Sequence, residues 1–369
     1  MAFQRTETQL RSMRNVLPLA LAVLLLASPV QAQSRPAAGP PTSTEASGTA
    51  AVVARAKRLP ALETLIVGRD GTVLVEKGFH GAATSRATNI KSASKSIVAA
   101  LVGIAIDKGI LSGTDQPIAP LLADKLPPAP DHRIRSITIG HLLSMQAGLD
   151  RTSGPNYGAW IASRDWVRAA LARPMVADPG GEMLYSTGST HLLSAILTRA
   201  SGRPTLALAR DWLGPAGIDI AAWERDPQGI HLGGNQMAMT PKSLFRFGEL
   251  YRNGGRTPEG RQIVPEAWVR ESWIKRTTTR WSGDDYGYGW FGLSLAGHSV
   301  HYGWGYGGQM IYVVPDLGLT VAMTSDDGAP SARNGYKEDL HGLVADLIAA
   351  STAQAAPAAA PSAAGAEAL

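Results

Sequence analysis

The stretch Lys91-Ser92-Ala93-Ser94-Lys95-Ser96-Ile97-Val98-Ala99-Ala100-Leu101-Val102-Gly103-Ile104 organises the reading of this 369-residue chain. Small, polar and cationic residues come first, followed by an almost unbroken apolar run of good helix formers without Pro. A helix that is apolar all round is a buried one. Ser92 and Lys95 stand three apart, which on a helix puts both side chains on one face with Cβ atoms about 5 to 6 Å apart. The spacing predicts Ser92 in the first turn, where unpaired N–H groups and the positive end of the helix dipole stabilise developing negative charge. Lys95, one turn further into apolar surroundings, is expected to lose hydration and with it part of its basicity, moving toward the range useful for proton transfer.

Average usage of Ser and Lys gives a chain of this size about one Ser-x-x-Lys by accident, and a second occurs at Ser272-Trp273-Ile274-Lys275. That copy falls near the end of a helix expected to start around Pro265, at the wrong end of the dipole and with no apolar run behind it.

Outward from this stretch, Arg5, Arg11 and Arg14 precede an apolar run from Val16 to Ala27, and Val30-Gln31-Ala32 supplies the small residues of a cleavage site. The run is well short of the roughly 20 residues that span a bilayer, so residues 1–32 are expected to be a secretory signal, with no stable membrane insertion after cleavage. Its removal takes three arginines and one glutamate, lowering the formal charge from +5 to +3. With no basic run or aromatic-interleaved basic patch, nucleic acid is not an expected partner. The chain has no Cys, which excludes disulfides, a thiol nucleophile and thiolate metal sites. Residues 33–55 and 351–369, rich in Ala, Pro, Ser and Gly, are expected to be flexible tails around one domain at 56–350.

Two hairpins bracket that domain. Thr64 to Val67 and Thr72 to Val75 flank Arg69-Asp70-Gly71, a strong turn signal. Gln309 to Val314 and Leu319 to Thr324 flank Pro315-Asp316-Leu317-Gly318. A final helix carries the apolar stripe Leu340, Leu343, Val344, Leu347 and Ile348. The middle reads as helices: Ile137 to Ala147 ending at Gly148, His191 to Ala200 ending at Ser201-Gly202, and Thr240-Pro241 to Asn253 ending at Gly254-Gly255. The fold class is therefore α+β, an antiparallel sheet built from both chain ends and flanked by helices, with an inserted, mainly helical region.

A serine nucleophile needs a base, something to orient it, and oxyanion donors. Neither Gly-x-Ser-x-Gly nor His-Glu-x-x-His is present, and the eight histidines are scattered. Tyr185-Ser186-Thr187, in a polar turn before the helix at His191, offers a phenol that could share a proton with Ser92 if the Lys95 ammonium stabilised phenolate; the plain alternative is a tyrosine at a helix start. Val300-His301-Tyr302-Gly303-Trp304-Gly305-Tyr306-Gly307-Gly308-Gln309 alternates Gly with aromatic residues, a strand of close backbone approach or a Gly-rich turn stiffened by aromatic packing.

Taken together and in this order, these three elements resemble the serine beta-lactamase and penicillin-binding protein superfamily, nearest its class C and esterase-like branch and 6-aminohexanoate-dimer hydrolase relatives. The stretches Ile137 to Met145, Gly229 to Asn235, and Gly305 to Gln309 with Val313 to Asp316 support the resemblance, which covers about residues 60–350. It implies Ser92 as the acylated nucleophile, Lys95 as its proton acceptor or electrostatic partner, and Tyr185 as the shuttle to the leaving group and water. Backbone N–H groups of Ser92 and Tyr306 would form the oxyanion hole, and Thr187, Asn235, His301, Trp304 and Gly305 would face substrate. Tyr157, Trp160, Trp166 and Trp281 are further rim candidates, although core packing explains each Trp equally well.

Two departures stand out. The superfamily's Tyr-x-Asn reads Tyr185-Ser186-Thr187, and its Lys-Thr-Gly is replaced by Gly303-Trp304-Gly305 or, two residues earlier, by His301-Tyr302-Gly303. Losing that lysine removes the cation that grips a beta-lactam carboxylate. The expectation is a serine hydrolase of small-molecule esters or amides, with no cofactor and no metal; class C beta-lactamase, D-Ala-D-Ala peptidase or a non-turnover sensor are the alternatives, and oligomeric state is left open.

Overall fold

The computed structural model describes residues 43–332 and 334–353; the expected signal segment and the outer parts of both tails lie outside the described residues. Both hairpins form. β1 (Leu62–Arg69) and β2 (Thr72–Gly78) turn through Asp70 and Gly71 at φ +47° and +86°, the two left-handed residues that a tight hairpin turn requires. A small sheet joins β3 (Thr88–Asn89), β4 (Ala222–Trp223) and β5 (Met237–Met239) in the order β3-β5-β4. The remaining strands are β6 (Thr277–Thr278), β7 (Asp285–Tyr286), β8 (Phe291–Leu295), β9 (His298–Gly305), β10 (Gln309–Val314) and β11 (Leu319–Ser325). They extend the first hairpin into an antiparallel sheet of order β2-β1-β11-β10-β9-β8-β7-β6. The two chain ends meet where β1 pairs with β11, Val67 opposite Val321.

Side chains alternate across this sheet as the period of two demands. Ile66, Ile311, Val313 and Ala322 face one apolar core, while Leu65, Val67, Met310, Tyr312, Val321 and Met323 face the other. The second face is covered by α1 (Ser43–Ala56) and α10 (Tyr336–Thr352). All five residues of the predicted stripe on α10 are buried, each contributing about 1.5 to 3 kcal/mol before ordering entropy is subtracted.

The first core is built around α2 (Ser94–Asp107), whose residues Ser94 to Ala105 are all buried. The inserted region places α3 (Ile139–Leu143), α4 (Tyr157–Ile161), α5 (Trp166–Leu171), α6 (Thr187–Ser201) and α7 (Thr205–Leu213) around it. α8 (Pro241–Arg252) lies against β1, β10 and β11, and α9 (Glu266–Trp273) against α2. Thr240 caps α8 through the Ser243 N–H, and Gly202 ends α6 at φ +68°, as the sequence predicts.

Three expectations are corrected. Residues 43–55 are not part of a tail: they belong to α1, which docks on α10 through Gly48, Val52 and Ala56, so closely that a Cβ on Gly48 would lie 2.5 Å from the Ala350 Cβ. Arg55 pairs with Asp346 at 2.7 Å. The helix expected over 137–147 is a single short one, because Met145 turns the chain at φ +62°. Ser92 does not begin α2; it lies in a 3-10 turn, Lys91–Ala93, directly before it.

Gly103 marks where α2 crosses α9, since a Cβ there would stand 2.3 Å from three Trp268 ring atoms. Overpacking of this kind costs about 1 to 3 kcal/mol, and valine recovers only part of glycine's helix penalty of about 1 kcal/mol. Gly103→Val is expected to lower the urea midpoint of unfolding at unchanged m-value; a midpoint equal to or above that of the parent protein would contradict this packing.

Candidate active site

The turn before α2 is set by its neighbours. Asn89 at the end of β3 accepts the Lys91 N–H at 2.9 Å, and Ile90 N–H donates to Met237 O at 2.9 Å. Lys91 adopts φ +50°, which costs a non-glycine residue about 1 to 2 kcal/mol, and its ammonium pairs with Asp327 at 2.7 Å. Ser92 follows, half-buried.

Lys95 is 2% exposed. Its Nζ lies 2.7 Å from Gly234 O, 3.1 Å from Ser92 Oγ and 3.4 Å from Thr187 Oγ1. None of these partners is a carboxylate, so burial acts unopposed and lowers the amine to about 7. The close approach of Gly234 depends on its lacking a side chain: φ is +81°, and a Cβ would stand 2.9 Å from the Lys95 Nζ.

Tyr185 stands near enough to Ser92 for the hydroxyl to act on its phenol, and it lies under Lys95, whose Nζ is 5.0 Å from the ring centroid. Its ring packs against Phe291, Tyr286 and the edge of Trp281. These surroundings push the phenol well above its usual range, which removes the phenolate envisaged from the sequence: burial disfavours the charged forms of both groups, leaving a neutral phenol beside a weakened amine.

Thr187 opens α6. Ser186, the residue before it, gives that helix no side-chain cap; the cap comes from another segment, with Thr187 N–H donating to Ser153 Oγ at 2.8 Å and Gly188 N–H to Thr152 Oγ1 at 2.7 Å. Ser153 Oγ also meets Thr187 Oγ1 at 3.0 Å. Asn235 donates to the Tyr157 hydroxyl at 2.9 Å, next to the glycine that holds Lys95.

β9 runs alongside the turn that carries Ser92. It pairs with β8 only as far as Tyr302, and beyond that point its edge leads into the turn Tyr306-Gly307-Gly308. The Tyr306 backbone N–H has no protein acceptor among the described residues. Gly303 faces Ser96, whose Oγ would be 2.9 Å from a Cβ there, and Gly305 faces Ile90 O.

Ser92, Lys95, Tyr185 and Thr187 are thus brought together, but three substrate-facing expectations on β9 are corrected. Trp304 points to the opposite face, where its N–H donates to Ser331 Oγ at 3.0 Å and Lys337 lies 4.9 Å over its ring. His301 is stacked on Trp273 with centroids 4.3 Å apart, lowered by burial to about 4, and lines a separate cavity of about 380 Å³ with Asp284 and Asp285. Gly305 serves close packing against Ile90. Neither possible register of the third motif brings a cation to the site. Trp160 and Trp166 are core residues around His191, whereas Trp281 is 48% exposed. Sequence reading missed Ser153 and the carbonyl role of Gly234; only the Gly233-Gly234 pair gave a local sign. Among the described residues no group of three or more His, Asp or Glu side chains could hold a metal ion.

The sheet assembled from both chain ends, with the Ser-x-x-Lys turn at the head of a buried helix, defines a beta-lactamase fold. Residues 50–346 match the Beta-lactamase family, and the chain belongs to it. Similar solved structures include a penicillin-binding protein homologue from Caulobacter crescentus, 18% identical over 85% of this chain and 99% of that one with a TM-score of 0.68. A Bacillus anthracis protein described as a 6-aminohexanoate-dimer hydrolase is 18% identical over 88% of this chain and 85% of its own, TM-score 0.66. EstCE1, a hydrolase with promiscuous acyltransferase activity, is 18% identical over 82% of this chain and 98% of its own, TM-score 0.67. At these identities the likeness is one of fold.

Proposed function

We propose that this chain is a secreted or periplasmic serine hydrolase that cleaves an ester or amide through an acyl-enzyme on Ser92, as a carboxylesterase or a 6-aminohexanoate-oligomer-hydrolase-like amidase. The observation that carries the reading is the contact at 3.1 Å between Ser92 Oγ and a buried amine lowered to about 7, with the Tyr185 phenol beside the same serine. Secretion rests on the N-terminal Arg-rich and apolar segment alone.

A neutral lysine has two N–H donors and one lone pair. Gly234 O and Thr187 Oγ1 take the donors, which leaves the lone pair for the Ser92 hydroxyl. Oγ attacks the substrate carbonyl carbon as its proton passes to Nζ. The oxygen of the tetrahedral intermediate gathers negative charge opposite the N–H groups of Ser92 and Tyr306, the type of preorganised donors that stabilise such a charge. Collapse breaks the bond to the leaving alcohol or amine, and the Lys95 proton reaches the leaving atom through the Tyr185 hydroxyl, which gives one proton as it accepts another. Water then attacks the acyl-Ser92 carbonyl along the reverse relay, releasing the acid and restoring the serine.

Beta-lactam or D-Ala-D-Ala chemistry has less support, because the two arginines nearest in sequence to the third motif that could replace its lysine are both engaged. Arg276 is engaged with Glu271 and lies 4.3 Å over the Tyr288 ring, and Arg280 is engaged with Glu182. A charge-assisted contact of this type is worth about 1.5 to 3 kcal/mol.

Two outcomes test the reading. A fluorophosphonate adduct seen by intact-protein mass spectrometry should vanish in Ser92→Ala and persist in Ser272→Ala, whose hydroxyl only bonds Trp268 O within α9. An adduct on the Ser92→Ala protein would refute the assignment, and release of only one product equivalent per enzyme from a p-nitrophenyl ester would favour a non-turnover sensor. Because Lys95 must be unprotonated to accept the proton, kcat/KM for that ester should fall about tenfold per unit as pH drops below about 7. A flat profile down to pH 5 would exclude Lys95 as the base.

A further inference from the structure

Among the described residues the large apolar side chains left in solvent are Val73, Val176, Ile274, Trp281 and Tyr306. Trp281 is distinguished by where it stands. Its indole meets the Tyr185 ring edge-on, with centroids 5.8 Å apart at 84°, and the same ring lies 5.0 Å from the Lys95 Nζ. A large aromatic surface half in water against a ring of the candidate site suits recognition of a flat apolar group.

The segment that carries it is held firmly. Arg280 pairs with Glu182, three residues before Tyr185, which ties the two segments together. On the other side, Thr279 Oγ1 accepts the Asp284 N–H at 3.1 Å, and the Ser282 hydroxyl donates to Asp284 Oδ2 at 2.6 Å. Asp284 is itself anchored by the Tyr302 hydroxyl at 2.6 Å and by Lys337 at 3.1 Å. The backbone is pinned before and after residue 281. Both charges next to the indole, on Arg280 and Glu182, are spent on each other.

We propose that Trp281 is the wall of a leaving-group subsite, and that the chain prefers uncharged esters or amides whose leaving alcohol or amine carries an aromatic or other flat apolar group. The inference rests on Ser92 as nucleophile and Tyr185 as the group that hands the proton to the leaving atom. That atom is bonded to the carbon which Ser92 attacks, so it departs next to the phenol oxygen. The group attached to it extends past the Tyr185 ring, where the indole stands. A flat substituent removes apolar surface of both partners from water there, whereas a short alkyl group does not reach it.

The test uses benzyl and ethyl esters of one acid, whose leaving alcohols have similar acidity, together with ethyl esters of acetic and phenylacetic acid to vary the acyl side alone. The full-length protein should favour the benzyl over the ethyl ester by about tenfold in kcat/KM. Trp281→Ala should lose most of that preference through KM, Trp281→Phe should keep part of it, and the ratio between the two acyl groups should stay within about twofold. Arg280→Gln, which leaves the indole in place but unties its segment, should lower the benzyl preference by a smaller factor. An unchanged benzyl-to-ethyl ratio in Trp281→Ala, or a change that falls on the acyl pair, overturns the leaving-group subsite while a Ser92 fluorophosphonate adduct leaves the hydrolase reading intact. No adduct and no turnover of any ester overturns both.

Discussion

A lysine amine taken out of water and given only uncharged partners is the constraint to which the rest of this molecule answers. Moving an amine from its ordinary 10.5 to about 7 disfavours the ammonium form by something of the order of 5 kcal/mol. Between those two values the unfolded chain binds more protons than the folded one, so this group makes the protein more stable as pH rises through that window, and below about 7 its full penalty is present. A penalty of that size is tolerable only inside a large core. The buried helix α2 supplies it: Lys95 stands at the head of the helix whose apolar residues from Ile97 to Ala105 belong to the core between the helical region and the sheet. The burial of the amine and the folding of the core therefore draw on one packing arrangement.

The surrounding parts can be understood as ways of holding neutral oxygens around that amine. Gly234 brings a carbonyl to 2.7 Å where any side chain would collide with the lysine. Thr152 and Ser153 cap α6 from a distant segment and so fix Thr187. The strained turn at Lys91, held by Asn89, aims Ser92 at Nζ instead of continuing the helix backwards. A carboxylate in any of these positions would raise the lysine again and remove the neutral amine that the proposed proton transfer needs.

Elements announced by local signals were legible in the sequence. Asp70-Gly71 marked one hairpin, Gly318 and its preceding proline another, Thr240-Pro241 a helix start, and the heptad-like stripe of α10 a docked helix. α1 was missed because it packs through Gly48, Val52 and Ala56, a stripe of small residues that reads as low-complexity sequence. Of the candidate site, residue type and order named Ser92, Lys95, Tyr185 and Thr187, which the fold brings together. Ser153 and the Gly234 carbonyl were not, since a hydroxyl 34 residues from its partner and a backbone oxygen leave no spacing to read. Trp304 and His301 show a different limit. Adjacent strand residues face opposite sides, and composition alone could not say that Trp304 faces Lys337 while His301 lies against Trp273.

The most direct measurement is the ionisation of Lys95 itself. In protein labelled with carbon-13 at lysine Cε, the Lys95 resonance is the one that disappears in Lys95→Met, and its chemical shift can be followed from pH 5 to pH 11 in the free protein. A midpoint near 7, far below those of the exposed lysines, is the predicted result. A midpoint near 10 would mean that Lys95 is an ordinary ammonium at neutral pH, and the proposed proton transfer from Ser92 would have no base.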